Sequence, residues 1–155
     1  MDDQIDTIQE LTALAGVVLA QTELPAALEE ICRIATRAVP GAVGASITTL
    51  NQGRPGALAS DQWALELDEL QFAEHEGPCL DAYRTGNAFR VPDLATESRW
   101  PFYAPKAAER GARGMMSLPL TAEGLLIGAL NLYSKDTDPF DVNAVSIAEV
   151  IAAHA

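Results

Sequence analysis

Gly114-Met115-Met116-Ser117-Leu118-Pro119-Leu120-Thr121-Ala122-Glu123-Gly124-Leu125-Leu126-Ile127-Gly128-Ala129-Leu130-Asn131-Leu132-Tyr133 is the stretch that decides the fold. Its first half alternates, with Met116, Leu118 and Leu120 on one side and Met115, Ser117 and Pro119 on the other, the period of two that a strand imposes. Its second half, Leu125 to Tyr133, is apolar at nearly every position. Glu123-Gly124 is short enough to join the two as a tight hairpin. A strand apolar on both faces must be covered on both, so this hairpin predicts a sheet sandwiched between two layers.

Upstream, Val43 to Leu50 shows the same period, with Val43, Ala45, Ile47 and Thr49 opposite Gly44, Ser46, Thr48 and Leu50. The turn cluster Asn51 to Gly56 folds a short strand, Ala57 to Ser60, back onto it. Two helices come before: Ile5 to Leu19, and one opening near Leu24 behind Thr22, with the stripe Leu28, Ile31, Ala35, Val39 and a stop at Pro40-Gly41. Between the hairpins, the pattern predicts a helix over Trp63 to Glu74 and a short one from Cys79 to Arg84. A strand over Ala88 to Val91 follows, then a helix over Arg99 to Arg110. The last helix opens at Asp138 or Asp141, carries Val145, Ala148, Ile151 and Ala152, and reaches Ala155 without a cap, as if cut inside a helix. The sum is an α+β chain, a central antiparallel sheet with helices on both faces.

At 155 residues and 16.5 kDa the chain is read as one domain, 1–155. Ten basic against 22 acidic residues give a net charge of −12. Such a chain is set against non-specific nucleic-acid binding, which runs on phosphate neutralisation, and against anionic membranes. No basic n-region opens the sequence, and Ala13 to Ala20 is far short of a spanning helix, so a cytoplasmic, membrane-free protein is expected. Cys32 and Cys79 form no CxxC, and His75 and His154 make no metal pair; no GxSxG, P-loop or GxGxxG is present.

Glu76-Gly77-Pro78-Cys79-Leu80-Asp81-Ala82, Thr85-Gly86, Val91-Pro92-Asp93-Leu94, Arg99-Trp100-Pro101, Gly111-Ala112-Arg113-Gly114, Ser117-Leu118-Pro119-Leu120 and Ile127-Gly128-Ala129-Leu130-Asn131-Leu132-Tyr133 stand in an order and spacing that resemble a GAF domain. More narrowly, they resemble the bacterial GAF domains found upstream of ANTAR output domains, which bind RNA in antitermination control. The resemblance implies a GAF/PAS-like sensory module with a six-stranded sheet, a ligand pocket on one face and a helical dimerisation layer on the other. It implies a homodimer through segments at about 3–20 and 139–155, signalling to an output domain absent from this sequence. It also implies no enzyme activity of its own, no direct nucleic-acid binding by this chain, and a small-molecule ligand of unknown identity. Ser134-Lys135, Phe140 and Ala144-Val145 depart from the Asn-Lys…Phe…Asp-Glu signature of cyclic-nucleotide-binding relatives; neither cysteine has the adjacent histidine common in bilin-binding ones. Any cofactor is left unknown.

The ligand-binding candidates are Cys79, Phe89, Trp100, Tyr103, Met116, Ser117 and Asn131. Cys79, at the start of a short helix, is read either as a thiol activated for redox sensing or as a small buried hydrophobe. The first reading touches an alternative function, a GAF-fold free methionine sulfoxide reductase using Cys79. Phe89, Trp100, Phe102 and Tyr103, with Met115 and Met116, either line an apolar pocket or form a satellite core. Asn131 is a buried amide that must find partners, in a ligand or in the protein, and Ser117 is read as a second polar point on the pocket floor. Six of the ten basic residues, Arg84, Arg90, Arg99, Lys106, Arg110 and Arg113, crowd one segment and would suit an anionic ligand or form a solvated face with Asp93, Glu97 and Glu109. A third reading is a dimerisation scaffold with a collapsed pocket.

Overall fold

The computed structural model describes residues 24–51, 54–122 and 124–154. The predicted helix over Ile5 to Leu19 lies outside them. Helix α1 (Leu24–Ala38) leads into a hairpin of β1 (Gly44–Asn51) and β2 (Arg54–Ala59). Helices α2 (Gln62–Glu74) and α3 (Pro78–Thr85), strand β3 (Phe89–Val91) and helix α4 (Tyr103–Glu109) form the middle of the chain. The second hairpin, β4 (Gly114–Ala122) and β5 (Leu125–Ser134), is followed by α5 (Val142–His154). The strands join in the order β2-β1-β5-β4-β3, antiparallel throughout. Among the described residues the sheet has five strands, not the six that the resemblance implied.

The alternation of the strands sorts their side chains between two layers. Ala45 and Ile47 of β1, Met116, Leu118 and Leu120 of β4, and Leu130 and Leu132 of β5 pack against α1 and α5 through Leu28, Ile31, Ala35, Ile147 and Ile151. The opposite face carries α2, α3 and α4, with Leu67, Trp100, Tyr103, Met115 and Tyr133 in one cluster and Cys79, Ala82 and Ala129 in another. The apolar run of β5 is buried only from Gly128 onward; Leu125 is 70% exposed.

Local signals place the helix ends. The Asp141 carboxylate accepts from the Ala144 backbone N–H at 2.8 Å, so α5 starts behind Asp141 and not Asp138. Asp61 caps α2 in the same way, through Ala64 N–H at 2.8 Å. Helix α4 is shorter than predicted at both ends. The Glu76 carboxylate, arriving from the α2–α3 connection, accepts from the Phe102 and Tyr103 backbone N–H groups at 3.0 and 3.3 Å and fixes its start. No helix among the described residues is long and apolar enough to cross a membrane.

Candidate functional site

The inner face of α2 is set by the spacing Ala64, Leu67, Asp68, Gln71, which puts all four on one side of a helix. All four are buried against the sheet, so a carboxyl and an amide enter the core beside two apolar side chains. Opposite them the register aligns Ser46 of β1 with Asn131 of β5 and Asn131 with Ser117 of β4, three polar residues abreast on adjacent strands. Thr48 lies two residues along β1 on the same face. Ser46, Asp68, Gln71, Ser117 and Asn131 are wholly buried and Thr48 is 1% exposed.

These groups bond to one another. Ser117 Oγ donates to Asn131 Oδ1 at 2.8 Å; Asn131 Nδ2 faces Ser46 Oγ and Thr48 Oγ1, both at 3.1 Å, and Asp68 Oδ1 at 3.3 Å. Thr48 Oγ1 sits 2.6 and 2.8 Å from the two Asp68 oxygens. Tyr133 Oη is 3.4 Å from Ser46 Oγ. Cys79 closes the cluster from α3: its thiol donates to Asp68 Oδ1 at 3.5 Å and its backbone N–H to Gln71 Oε1 at 2.9 Å. Gln71 Nε2 is buried and has no hydrogen-bond partner among the described residues. The fit between α2 and α3 is close. At Gly77, with φ +151°, a Cβ would lie 2.0 Å from Gln71 Oε1, so the junction admits only glycine.

Burial is the largest influence on the ionisable groups. It raises the Asp68 carboxyl to about 6, although hydrogen bonds from Thr48, Cys79 and Ser46 pull the other way. Burial, followed by the Asp68 charge, pushes the Cys79 thiol well up, and burial likewise raises the Tyr103 and Tyr133 phenols. Cys79 is therefore a buried neutral thiol. The helix-start activation expected from its position is overridden, because that N–H is taken by Gln71 and the sulfur lies in a desolvated core beside an acid. Cys32, raised to about 12 chiefly by burial, packs on the other side of the sheet and cannot meet it.

Of the sequence candidates, the structure brings Cys79, Ser117 and Asn131 together in this cluster. Tyr103 lies in the apolar cluster beside it, with its hydroxyl 3.8 Å from Met115 Sδ. Trp100 and Phe89 meet edge to face at 5.9 Å over the same side, and Trp100 Nε1 donates to Asp81 at 2.9 Å. Met116 is misplaced in the sequence reading: it points to the α1/α5 layer, since it neighbours Ser117 on a strand and must take the opposite face. Asp68, Gln71, Ser46 and Thr48 were missed. The available signal was a polar pair at the fourth and seventh positions after Ala64, on the side of α2 that Leu67 marks as inward.

The basic segment forms a solvated face. Arg113 pairs with Asp93 at 2.9 Å, Arg99 with Glu97 at 2.6 Å, Arg84 with Asp81 at 3.6 Å, and Lys106 with Glu74. The Arg113 hydrogen bond holds the Asp93 carboxyl below its ordinary range. His75 is exposed at the left-handed C-cap of α2. A surface hollow of about 450 Å³ on the outer side of α2 is lined by Glu66, Glu69, Leu70, Ala73 and Arg110, none of them in the buried cluster. No group of metal-ligating side chains occurs among the described residues.

An antiparallel sheet with a helical pair on one face and a separate helical cap over polar residues on the other defines the class, and the sequence agrees. The GAF domain family matches residues 21–155, and the chain belongs to it. Among solved structures, the chain is similar to the GAF domain from an Acinetobacter phosphoenolpyruvate-protein phosphotransferase, with TM-score 0.70 and 14% identity over 99% of this chain and 90% of that one. It is also similar to a free methionine-R-sulfoxide reductase from Neisseria meningitidis in complex with its substrate, with TM-score 0.62 and 16% identity over 99% and 90%. A third similar structure, from Burkholderia vietnamiensis, is described as a GAF sensor protein, with TM-score 0.62 and 16% identity over 97% and 85%. No curated protein matches the sequence. The reductase likeness overturns the expectation of a non-enzyme: free methionine-R-sulfoxide reductases share this fold, and at such distant identity enzyme status is open.

Proposed function

We propose that the chain is a signal-sensing GAF module whose input site is the polar cluster between the sheet and the α2–α3 cap. The observation that carries this reading is the Ser46–Asn131–Ser117 row facing Asp68 and Gln71. Apolar residues of similar volume would fill a purely structural core at no loss of stability, whereas polar groups under a cap of short helices provide anchors for a small molecule. Gln71 Nε2, buried without an acceptor among the described residues, supplies one such anchor. Trp100, Tyr103 and Phe89 form the apolar side. On this reading the module works in the cytoplasm as a homodimer through its terminal helical segments. It passes its state to a C-terminal output domain, of which the ANTAR antitermination type is the one the sequence motifs favour; RNA contact belongs to that domain. Val142, 82% exposed at the start of α5, is consistent with an apolar contact there.

Native mass spectrometry of the purified chain tests the input site: a co-purifying small molecule whose loss lowers the melting temperature supports it. A chain that stays bare and is stabilised by no metabolite in a screen refutes it. Sedimentation at high concentration tests the dimer, which predicts twice the chain mass. The thiol of Cys79 within 3.5 Å of Asp68 favours a second reading, reduction of a free sulfoxide at Cys79. Its burial and the placement of Cys32 across the sheet weigh against it. A thiol-dependent turnover assay on free methionine-R-sulfoxide, with Cys79→Ser as control, decides.

A further inference from the structure

Asp68 is wholly buried, and among the described residues no ion pair reaches it. Its surroundings are uncharged hydrogen-bonding groups. Thr48 has one hydroxyl proton, yet its oxygen lies 2.6 and 2.8 Å from both carboxyl oxygens and also faces Asn131 Nδ2 at 3.1 Å. One proton cannot serve two short contacts well. A proton on the carboxyl resolves the arrangement: Thr48 donates to one oxygen of Asp68, and the protonated oxygen donates back to Thr48. An ionised carboxylate would have to share the single Thr48 proton between its two oxygens, with no cation among the described residues to compensate its charge.

We propose that Asp68 is a proton-binding site that locks the α2–α3 cap onto the sheet while it is neutral and releases the cap when it ionises. The inference goes beyond the sensing role and needs no ligand. Asp68 joins α2 to β1 through Thr48, to β5 through Asn131 and to α3 through Cys79, so the charge arises where the cap meets the sheet.

The groups facing Asp68 leave it as the one that titrates in this core near neutrality. Cys79 of α3, Tyr103 of α4 and Tyr133 of β5 are all pushed upward by burial and stay neutral. Ser46 and Thr48 of β1, Ser117 of β4 and Gly56 to Ala59 of β2 carry no charge. On α2 itself Glu69 is exposed, and its charge adds to the upward shift of Asp68. Asp81 of α3 is half-buried and bonds outward to Trp100 and Arg84. The carboxyl stands at about 6 in the fold and at about 3.9 in the unfolded chain, so the folded state holds the proton more tightly. The stabilisation is full below the unfolded value and is lost as the pH rises through about 6.

Asp68→Asn tests this, because its amide mimics the neutral acid and cannot ionise. Urea unfolding of both proteins between pH 5 and pH 8 should show the wild-type folding constant falling about tenfold relative to the variant. Contributions of the other groups are common to both and cancel. In the wild type, the Asp68 side-chain carbon followed by ¹³C NMR should titrate near 6. Amide exchange in α2 and α3 should accelerate against α1 and α5 over the same range. Parallel pH profiles for the two proteins, an Asp68 carbon that titrates in the ordinary carboxylate range, or a titration near 6 with no change in cap exchange each overturn the proposal. If the variant does not fold, the two wild-type measurements decide alone.

Discussion

Replacing Asn131 by Leu should cost stability even with nothing bound, because every hydrogen-bond partner of its amide is a protein group. The amide accepts from Ser117 at 2.8 Å and presents two protons to three acceptors: Ser46 and Thr48 at 3.1 Å and Asp68 at 3.3 Å. Leu fills a similar volume and removes donor and acceptor together. Ser46 can turn to Tyr133, and Thr48 already bonds Asp68, so two losses go unrescued. These are the Ser117 proton and one donor to Asp68. At about 1–3 kcal/mol for each buried group left unpaired, less what is saved by no longer burying an amide, the net cost is about 2–4 kcal/mol. With a urea slope of roughly 2 kcal/mol/M, the unfolding midpoint should drop by about 1–2 M at constant slope. Adding Ser117→Ala removes one orphaned group, so the double variant should be more stable than the sum of the two single changes by about 1 kcal/mol. A Leu variant within about 0.5 kcal/mol of the parent, or strictly additive changes, would show that the amide does not hold the three strands' polar row together.

The close α2–α3 fit predicts that Gly77→Ala destabilises by roughly 2–4 kcal/mol, since the new methyl meets Gln71 in a backbone region that only glycine enters freely; an unchanged melting temperature would mean the junction has slack. Cys79→Ser should fold and lose only about 1 kcal/mol in urea unfolding, because the Asp68 carboxyl offers the new hydroxyl a partner. Both thiols should resist an aromatic disulfide reagent at pH 8 until the chain is unfolded, because burial raises their pKa values and suppresses the reactive thiolate; rapid labelling of Cys79 in the native state would show an open cap.

The sheet was legible because its strands carry a clean period. Ala45 and Ile47 against Ser46 and Thr48, and Leu118 and Leu120 against Ser117, name both faces, and the structure sends each set to its own layer. The same rule forbids Met116 and Ser117 from lining one pocket, so that error was correctable from sequence alone. The length of α4 was not legible, because its start depends on Glu76, a residue 26 positions upstream of Phe102 that reaches it only in the folded chain.

The site divides along a different line. Asn131 stood out because Leu130 and Leu132 flank it in an almost wholly apolar strand, where any amide is an exception that needs partners. Asp68 did not, because α2 offers no such background: its inner face mixes Ala64 and Leu67 with Asp68 and Gln71, while Trp63, Leu65 and Phe72 lie half-buried elsewhere around it. With polar and apolar residues on every side, helical periodicity loses its contrast, and a buried carboxyl looks like an ordinary surface one. Only the register of the sheet beneath distinguishes it, by setting Thr48 and Asn131 where Asp68 must land. The residue with the greatest electrostatic consequence in this core is thus one whose burial the linear sequence conceals, and its partner Asn131 is the position from which it could have been sought.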